Sequence, residues 1–316
     1  MHSDLGPLTW AALLHTTNPD ALSAFVIVGA IAGYAWYQAH HRGGERPVTA
    51  GRYWCFGIGV LLWAVATMSA IGAYAHVLFW IRALQVVLLL YVAPVFLAQG
   101  QPVTVVRGAL DEAGCDRLDA VLGSGVARVL LHPLTTSVAM LGAPWLLYLT
   151  PWYTASLEHE VIGFLTGIIL VAIGFGYFYA RFQTDPVPRK YSQLISLLIT
   201  VIEAIGDGVL GLVVWQGPLI AESYYAGLHR FWGPAQRTDQ TIGAGVLWIL
   251  GDVVGIPVVL LLMRALGRDE KAHAVEVDAE LDTAEGAWGG SSADVQTQSA
   301  LWWENDPQLR DRYRGY

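Results

Sequence analysis

Residues 78–98 read LFWIRALQVVLLLYVAPVFLA, an apolar run interrupted by a single ionised side chain, Arg82. A bilayer hydrocarbon core about 30 Å thick is crossed by about 20 apolar residues in helical form, so this run predicts a membrane-spanning helix. Six further runs of comparable length accompany it, at 21–38, 53–73, 130–149, 161–180, 191–215 and 243–264. Amides inside lipid must bond within their own segment, and the ten-residue alternation of a barrel is absent. The expected fold class is therefore all-α, a polytopic bundle of about seven transmembrane helices. Composition agrees: 54% of the 316 residues are hydrophobic and only 14% charged, against roughly a quarter charged in soluble domains.

Lysine and arginine near span ends mark the cytoplasmic side. Arg42, Arg46 and Arg52 follow the first span; Arg107, Arg117 and Arg128 follow the third; Arg181, Arg189 and Lys190 follow the fifth; Arg264, Arg268 and Lys271 follow the seventh. The alternate loops hold only Arg230 and Arg237, and the N-terminal segment has neither residue type. The N-terminus is thus expected outside and the C-terminus inside, with an extracytoplasmic segment at 1–20, a transmembrane domain at 21–267 and an acidic, mostly disordered cytoplasmic tail at 268–316. Met1 to Pro19 lacks a basic stretch followed by an apolar core, so the first span is expected to direct insertion. Between Gly108 and Arg128, Leu110, Leu118, Val121 and Leu122 alternate with acids in a pattern that fits either a surface-lying helix or a solvated loop. The net charge of −8 mostly describes the tail, and no nucleic-acid partner is expected. Cys55 and Cys115 stand apart with no CxxC spacing, which speaks against structural disulfides.

Charges within a span are costly unless they face a cavity or one another. Glu203 and Asp207 lie one turn apart in the sixth run, Asp252 about midway along the seventh, and Arg82 and Gln85 near the outer end of the third. Antiparallel spans put Arg82 and Asp207 at similar depth, where an ion pair is expected; Glu203 and Asp252 would then stay near the midplane, protonated or sharing a proton or cation. Helix clamping explains the same residues without chemistry, and both explanations stand. Gly206, Gly208, Gly211, Gly251 and Gly255 predict close approach of spans six and seven. Of nine histidines, His2, His15, His76, His159 and His229 fall on the predicted outer side. With Glu158 and Glu160, His76 and His159 are candidate metal ligands, although ordinary interfacial roles fit them as well and no HxxxH or HxH spacing occurs.

Several short marks resemble the CtaG-type (actinobacterial and Bacillus-like) cytochrome c oxidase assembly proteins. They are Val92-Ala93-Pro94 with Leu97, Gly100 and Pro102; Leu131-His132-Pro133; Asp185-Pro186-Val187-Pro188; and Asp239-Gln240 with Gly243, Leu247-Trp248 and Gly251. The resemblance implies a seven-helix, multi-pass protein of the bacterial plasma membrane that helps assemble a heme-copper oxidase, with copper as a possible cargo and oxidase subunits as partners. Relatives often carry a His-Met-x-x-His pattern in the third span; here those positions hold Ile81, Arg82 and Gln85, so the resemblance transfers no ligand pair to this helix. Independently of the family, Pro94 can kink its helix, Pro133 suits a first helical turn, and Asp239 can cap or complement the helix that follows it.

No nucleophile elbow, phosphate loop, HExxH or CxxCH is present, so an enzyme is not expected. Both lysines, Lys190 and Lys271, fall at cytoplasmic positions, which removes a retinal pump. The alternative to an assembly factor is a copper or proton transporter using Glu203, Asp207 and Asp252.

Overall fold

The computed structural model describes residues 5–39, 50–182 and 193–249 and, beyond them, Val253, Leu260, Met263, Arg264 and Gly267. The described residues are helical or irregular, with no strand among them. Two compact units divide the chain at 263/264, and of the second only Arg264 and Gly267, both helical, are described. His2, Asp185, Pro186, Gly251, Asp252, Gly255 and residues 268–316 lie outside the described residues.

The elements follow in order: α1 (Trp10–His15), α2 (Ala21–Ala39), α3 (Ala50–Met68), α4 (Ala70–Tyr74), α5 (Phe79–Val87), a π turn (Leu88–Val92), α6 (Ala93–Gln99), α7 (Pro102–Ala109), α8 (Glu112–Leu122), α9 (Gly125–Leu130), α10 (Pro133–Leu149), α11 (Trp152–Glu158), α12 (Glu160–Phe182), α13 (Gln193–Gln216) and α14 (Glu222–Gly227). Residues 236–249 form a further helix, α15. Among the described residues, four stretches are long and apolar enough to cross a membrane: Ala21–Ala39, Gly51–Met68, Phe79–Ala109 and Glu160–Phe182; α10 is apolar but shorter.

The opening run proves to be the central rod. Two-thirds (67%) of its membrane-length window is buried, against 33% for the Gly51–Met68 and Glu160–Phe182 windows and 11% for Ala21–Ala39. Its α6 segment packs on α3 to one side and on α12 to the other, while α2 packs on α3 and α10 on α12 and α13. Outward faces carry Phe25, Leu61, Val138, Leu146, Leu165 and Ile205, all exposed, as a lipid-facing surface requires.

Pro94 has no N–H for the Leu90 carbonyl one α-turn back, and the rod takes up the proline through the wide turn at Leu88–Val92, where the Ala93 N–H reaches the Leu88 carbonyl. Gly174 of α12 fits against this site: a methyl group there would stand 2.0 Å from the Leu90 carbonyl oxygen and 2.7 Å from Pro94 Cγ. The run expected to continue to residue 73 instead ends at Met68, where Asn18 intercepts the last carbonyls: its backbone N–H bonds Met68 O at 2.8 Å and its Nδ2 bonds Thr67 O at 3.0 Å. Ser69 then caps the short α4. On the other side of the rod, the stretch expected to be surface helix or loop is α8, capped by Asp111, with no buried residue and with Arg107 bidentate to Asp119 at 2.8 Å.

Gly174→Ala is expected to destabilise by about 2–3 kcal/mol, since a backbone carbonyl cannot move aside as a side chain can. Gly176→Ala, with nothing within 4 Å of the new methyl, should be neutral or gain about 0.5–1 kcal/mol from helix propensity. Thermal unfolding in detergent separates the two, and equal shifts would contradict this packing.

Candidate functional site

Leu78 precedes α5 and has no side chain able to cap it. The missing acceptor comes from far along the chain: Asp239 accepts the Phe79 N–H at 3.1 Å, the Trp80 N–H at 3.0 Å and Arg230 Nη2 at 3.3 Å. Burial pushes the Asp239 carboxyl above its ordinary range, and the two N–H bonds and Arg230 pull the other way. Gln240 completes the clamp by donating to Val214 O at 2.7 Å and Pro218 O at 2.9 Å while accepting from the Ile220 N–H at 2.9 Å. Gly243 lets α15 approach, for a methyl group there would meet Phe79 Cδ1 at 2.4 Å. Asp239 therefore caps α5, a correction to the expectation that it serves the helix following it.

With its first turn fixed, α5 presents Arg82 and Gln85 inward, 5% and 6% exposed. Arg82 Nη1 donates to Gln85 Oε1 at 2.6 Å and Nη2 to Ser156 Oγ at 2.9 Å, while Gln85 Nε2 donates to Ala66 O at 2.8 Å. Arg82 Nε is buried with no hydrogen-bond partner, and among the described residues no carboxylate lies within ion-pair distance of Arg82. The Arg82–Asp207 pair expected from span depth does not form: Asp207 accepts the Tyr91 hydroxyl at 2.6 Å, in a tight niche lined by Val87, Pro144 and Leu247. Similar depth did not bring the two side chains onto facing surfaces.

Arg82 and Gln85 line a cavity of about 490 Å³ bounded by the N-terminal segment, α5 and the α11–α12 corner. Val86, Leu89 and Leu170 give its apolar wall; Asp20, His76, Glu158 and Glu160 also line it. Asp20 is engaged in capping α2, accepting from the Ser23 N–H and hydroxyl. Nearby, the Tyr153 and Tyr225 hydroxyls share a hydrogen bond at 2.7 Å, and burial pushes both phenols well up from their ordinary value, so they stay neutral and offer Arg82 no anion. Of the four candidate ligands, His76, Glu158 and Glu160 line this cavity, and exposed His159 does not. Among the described residues no three His, Cys, Asp or Glu side chains come together as a metal-binding group. His15 and His229 are exposed and lie outside the cavity lining.

A second polar cluster ties three helices together. Arg181, expected in a cytoplasmic loop, is instead 1% exposed in the last turn of α12. Its Nη2 donates to Glu203 Oε1 at 2.9 Å and Ser137 Oγ at 2.8 Å, its guanidinium lies 4.2 Å from the Tyr177 ring centroid, and the Tyr177 hydroxyl also donates to Glu203. Glu203 is thus an ion-pair partner of Arg181, not a carboxyl left over at the midplane; the expectation for Asp252 falls outside the described residues. The Arg181–Glu203 pairing carries no positional signal, because the rule for basic residues at span ends assigns such an arginine to water.

Other family-like marks among the described residues are structural too. His132 caps α10 by accepting the Leu134 N–H at 3.2 Å, and Pro133 opens its first turn. Trp248 lies against Gly208 and Gly211, where added methyl groups would stand 3.3 Å from its Nε1 and 3.0 Å from its Cβ, as the six-to-seven contact predicts. Gly206 instead faces Leu141 of α10.

Fold and site define an all-helical protein with apolar, membrane-length helices and a polar cavity beside a clamped central rod. The chain belongs to the cytochrome c oxidase caa3 assembly factor family, whose sequence model matches residues 32–269. It is similar to an uncharacterized protein of Mycobacterium leprae (strain TN), 25% identical over 265 residues that make up 81% of this chain and 40% of that protein. Uncharacterized proteins of Mycobacterium bovis and Mycobacterium tuberculosis are each 25% identical over 290 residues, 88% of this chain and 43% of theirs. The chain thus spans less than half the length of these curated relatives. No solved structure matches it.

Glu203→Gln should cost about 3–5 kcal/mol, because it leaves the buried Arg181 charge uncompensated. The double variant Arg181→Met/Glu203→Leu should recover most of that loss. Chemical or thermal unfolding checks both; a double variant as unstable as the single one would contradict the assignment.

Proposed function

We propose that this chain acts in the bacterial plasma membrane as an assembly factor for a heme-copper cytochrome c oxidase, handling a subunit during maturation without catalysis of its own. The observation that carries this is the family match, which takes in the rod, the Asp239–Gln240 clamp and most of the cavity wall. Oxidase subunits and lipid are the partners this role requires.

Copper delivery is the finer part of the proposal. What supports it is limited to His76, Glu158 and Glu160 lining one cavity, a mix of imidazole and carboxylate that borderline divalent ions accept, although the three are not gathered into one ligand group. For the transporter alternative, Glu203 is engaged with Arg181 and Asp207 with Tyr91, and Asp252 lies outside the described residues.

A deletion strain should lose spectral heme a and oxidase activity with cell copper unchanged, and the wild-type gene should restore both. Complementation by His76→Ala would assign the role to subunit handling, and its failure to copper. Altered copper accumulation alongside a normal oxidase would overturn the proposal.

A further inference from the structure

We propose that the Arg82 cavity is a binding site for an amphiphilic monocarboxylate, received by the Arg82 guanidinium. The inference concerns the cavity that carries the copper part of the proposed function, but it rests on Arg82 and requires no metal there.

A buried cation is tolerated when an anion or a full set of hydrogen bonds compensates it. Arg82 is 5% exposed, its two hydrogen bonds go to the neutral Gln85 and Ser156, and its Nε is buried with no partner. Gln85 is itself held by the Ala66 carbonyl, so the guanidinium is fixed in place before any ligand arrives. A planar fork held in this way, with no carboxylate within ion-pair distance among the described residues, is the chemistry that takes a carboxylate through charge-assisted hydrogen bonds. Arg82 lines a cavity of about 490 Å³, within the usual range for small-molecule sites.

The remaining lining narrows the ligand class. Val86, Leu89, Leu157, Phe164 and Leu170 offer an apolar surface that water or a bare inorganic anion would leave unused. Asp20 and the exposed Glu158 and Glu160 also line the cavity, so negative charge is accepted only against Arg82 and a second carboxylate would be repelled. One carboxylate joined to a compact apolar body satisfies both conditions.

The test is isothermal titration of the full chain in lipid nanodiscs with 3-phenylpropionate, 3-phenylpropanol, acetate and phenylsuccinate. Wild type should bind 3-phenylpropionate about tenfold or more tightly than each of the other three, in line with a charge-assisted hydrogen bond. Arg82→Met should abolish the preference for the acid over the alcohol. Gly167 also lines the cavity, and a methyl group there makes only ordinary contact with Leu89. Gly167→Leu, which keeps Arg82 and fills the space, should weaken acid and alcohol together. Equal wild-type affinity for acid and alcohol, no acid binding, a preference that survives Arg82→Met, or unchanged binding in Gly167→Leu would each overturn the proposal. Should Arg82→Met fail to fold, the wild-type ligand series and Gly167→Leu decide the matter.

Discussion

A helix that starts inside a protein leaves its first N–H groups without partners, and here one carboxylate, some 160 residues downstream, answers that need. Asp239 accepts from Phe79 and Trp80, neutralises Arg230 and thereby joins α15 to the first turn of α5. The rod that begins there is the most deeply buried of the membrane-length helices, so its position sets the positions of α3 and α12 on either side. Gln240, the next residue, binds three backbone groups between Val214 and Ile220 and fixes the turn after α13 to the same point. Two adjacent polar side chains thus hold three helices.

This arrangement gives a physical account of marks that otherwise read as a family signature. His132 and Pro133 start α10, Pro94 shapes the wide turn of the rod, Gly174 accepts that turn, and Trp248 fills the space left by Gly208 and Gly211. None of them touches the cavity. What faces the cavity is Arg82 with Gln85, carried by the rod and oriented by Ser156 and Ala66. Scaffold and site are therefore separate sets of residues on shared helices, and change in the second need not disturb the first.

Helix content and the four membrane-length stretches were legible in the sequence because hydropathy and length act locally, and local forces dominate where lipid forbids other backbone arrangements. The six-to-seven contact was legible in part, because glycine spacing reports close approach without naming the partner. Side-chain pairing was not legible. Depth along the membrane normal suggested Arg82 with Asp207, yet pairing also needs facing helix surfaces, and rotation about a helix axis is set by tertiary packing. Rules for basic residues count position and place Arg181 in a loop, while its burial depends on Glu203 and Ser137 from elements distant in sequence and on Tyr177 one turn back on its own helix. The capping of α5 by Asp239 was hidden for the same reason: capping patterns in sequence are local, and this cap is not.

Hydrogen-exchange mass spectrometry on Asp239→Asn tests the central claim most directly. If the carboxylate holds the rod in place, amides at the start of α5 and those of α15 should lose protection together, while those of α10 keep theirs. Unchanged protection at Phe79 and Trp80, or a loss spread evenly over every helix, would contradict the clamp on which this structure depends.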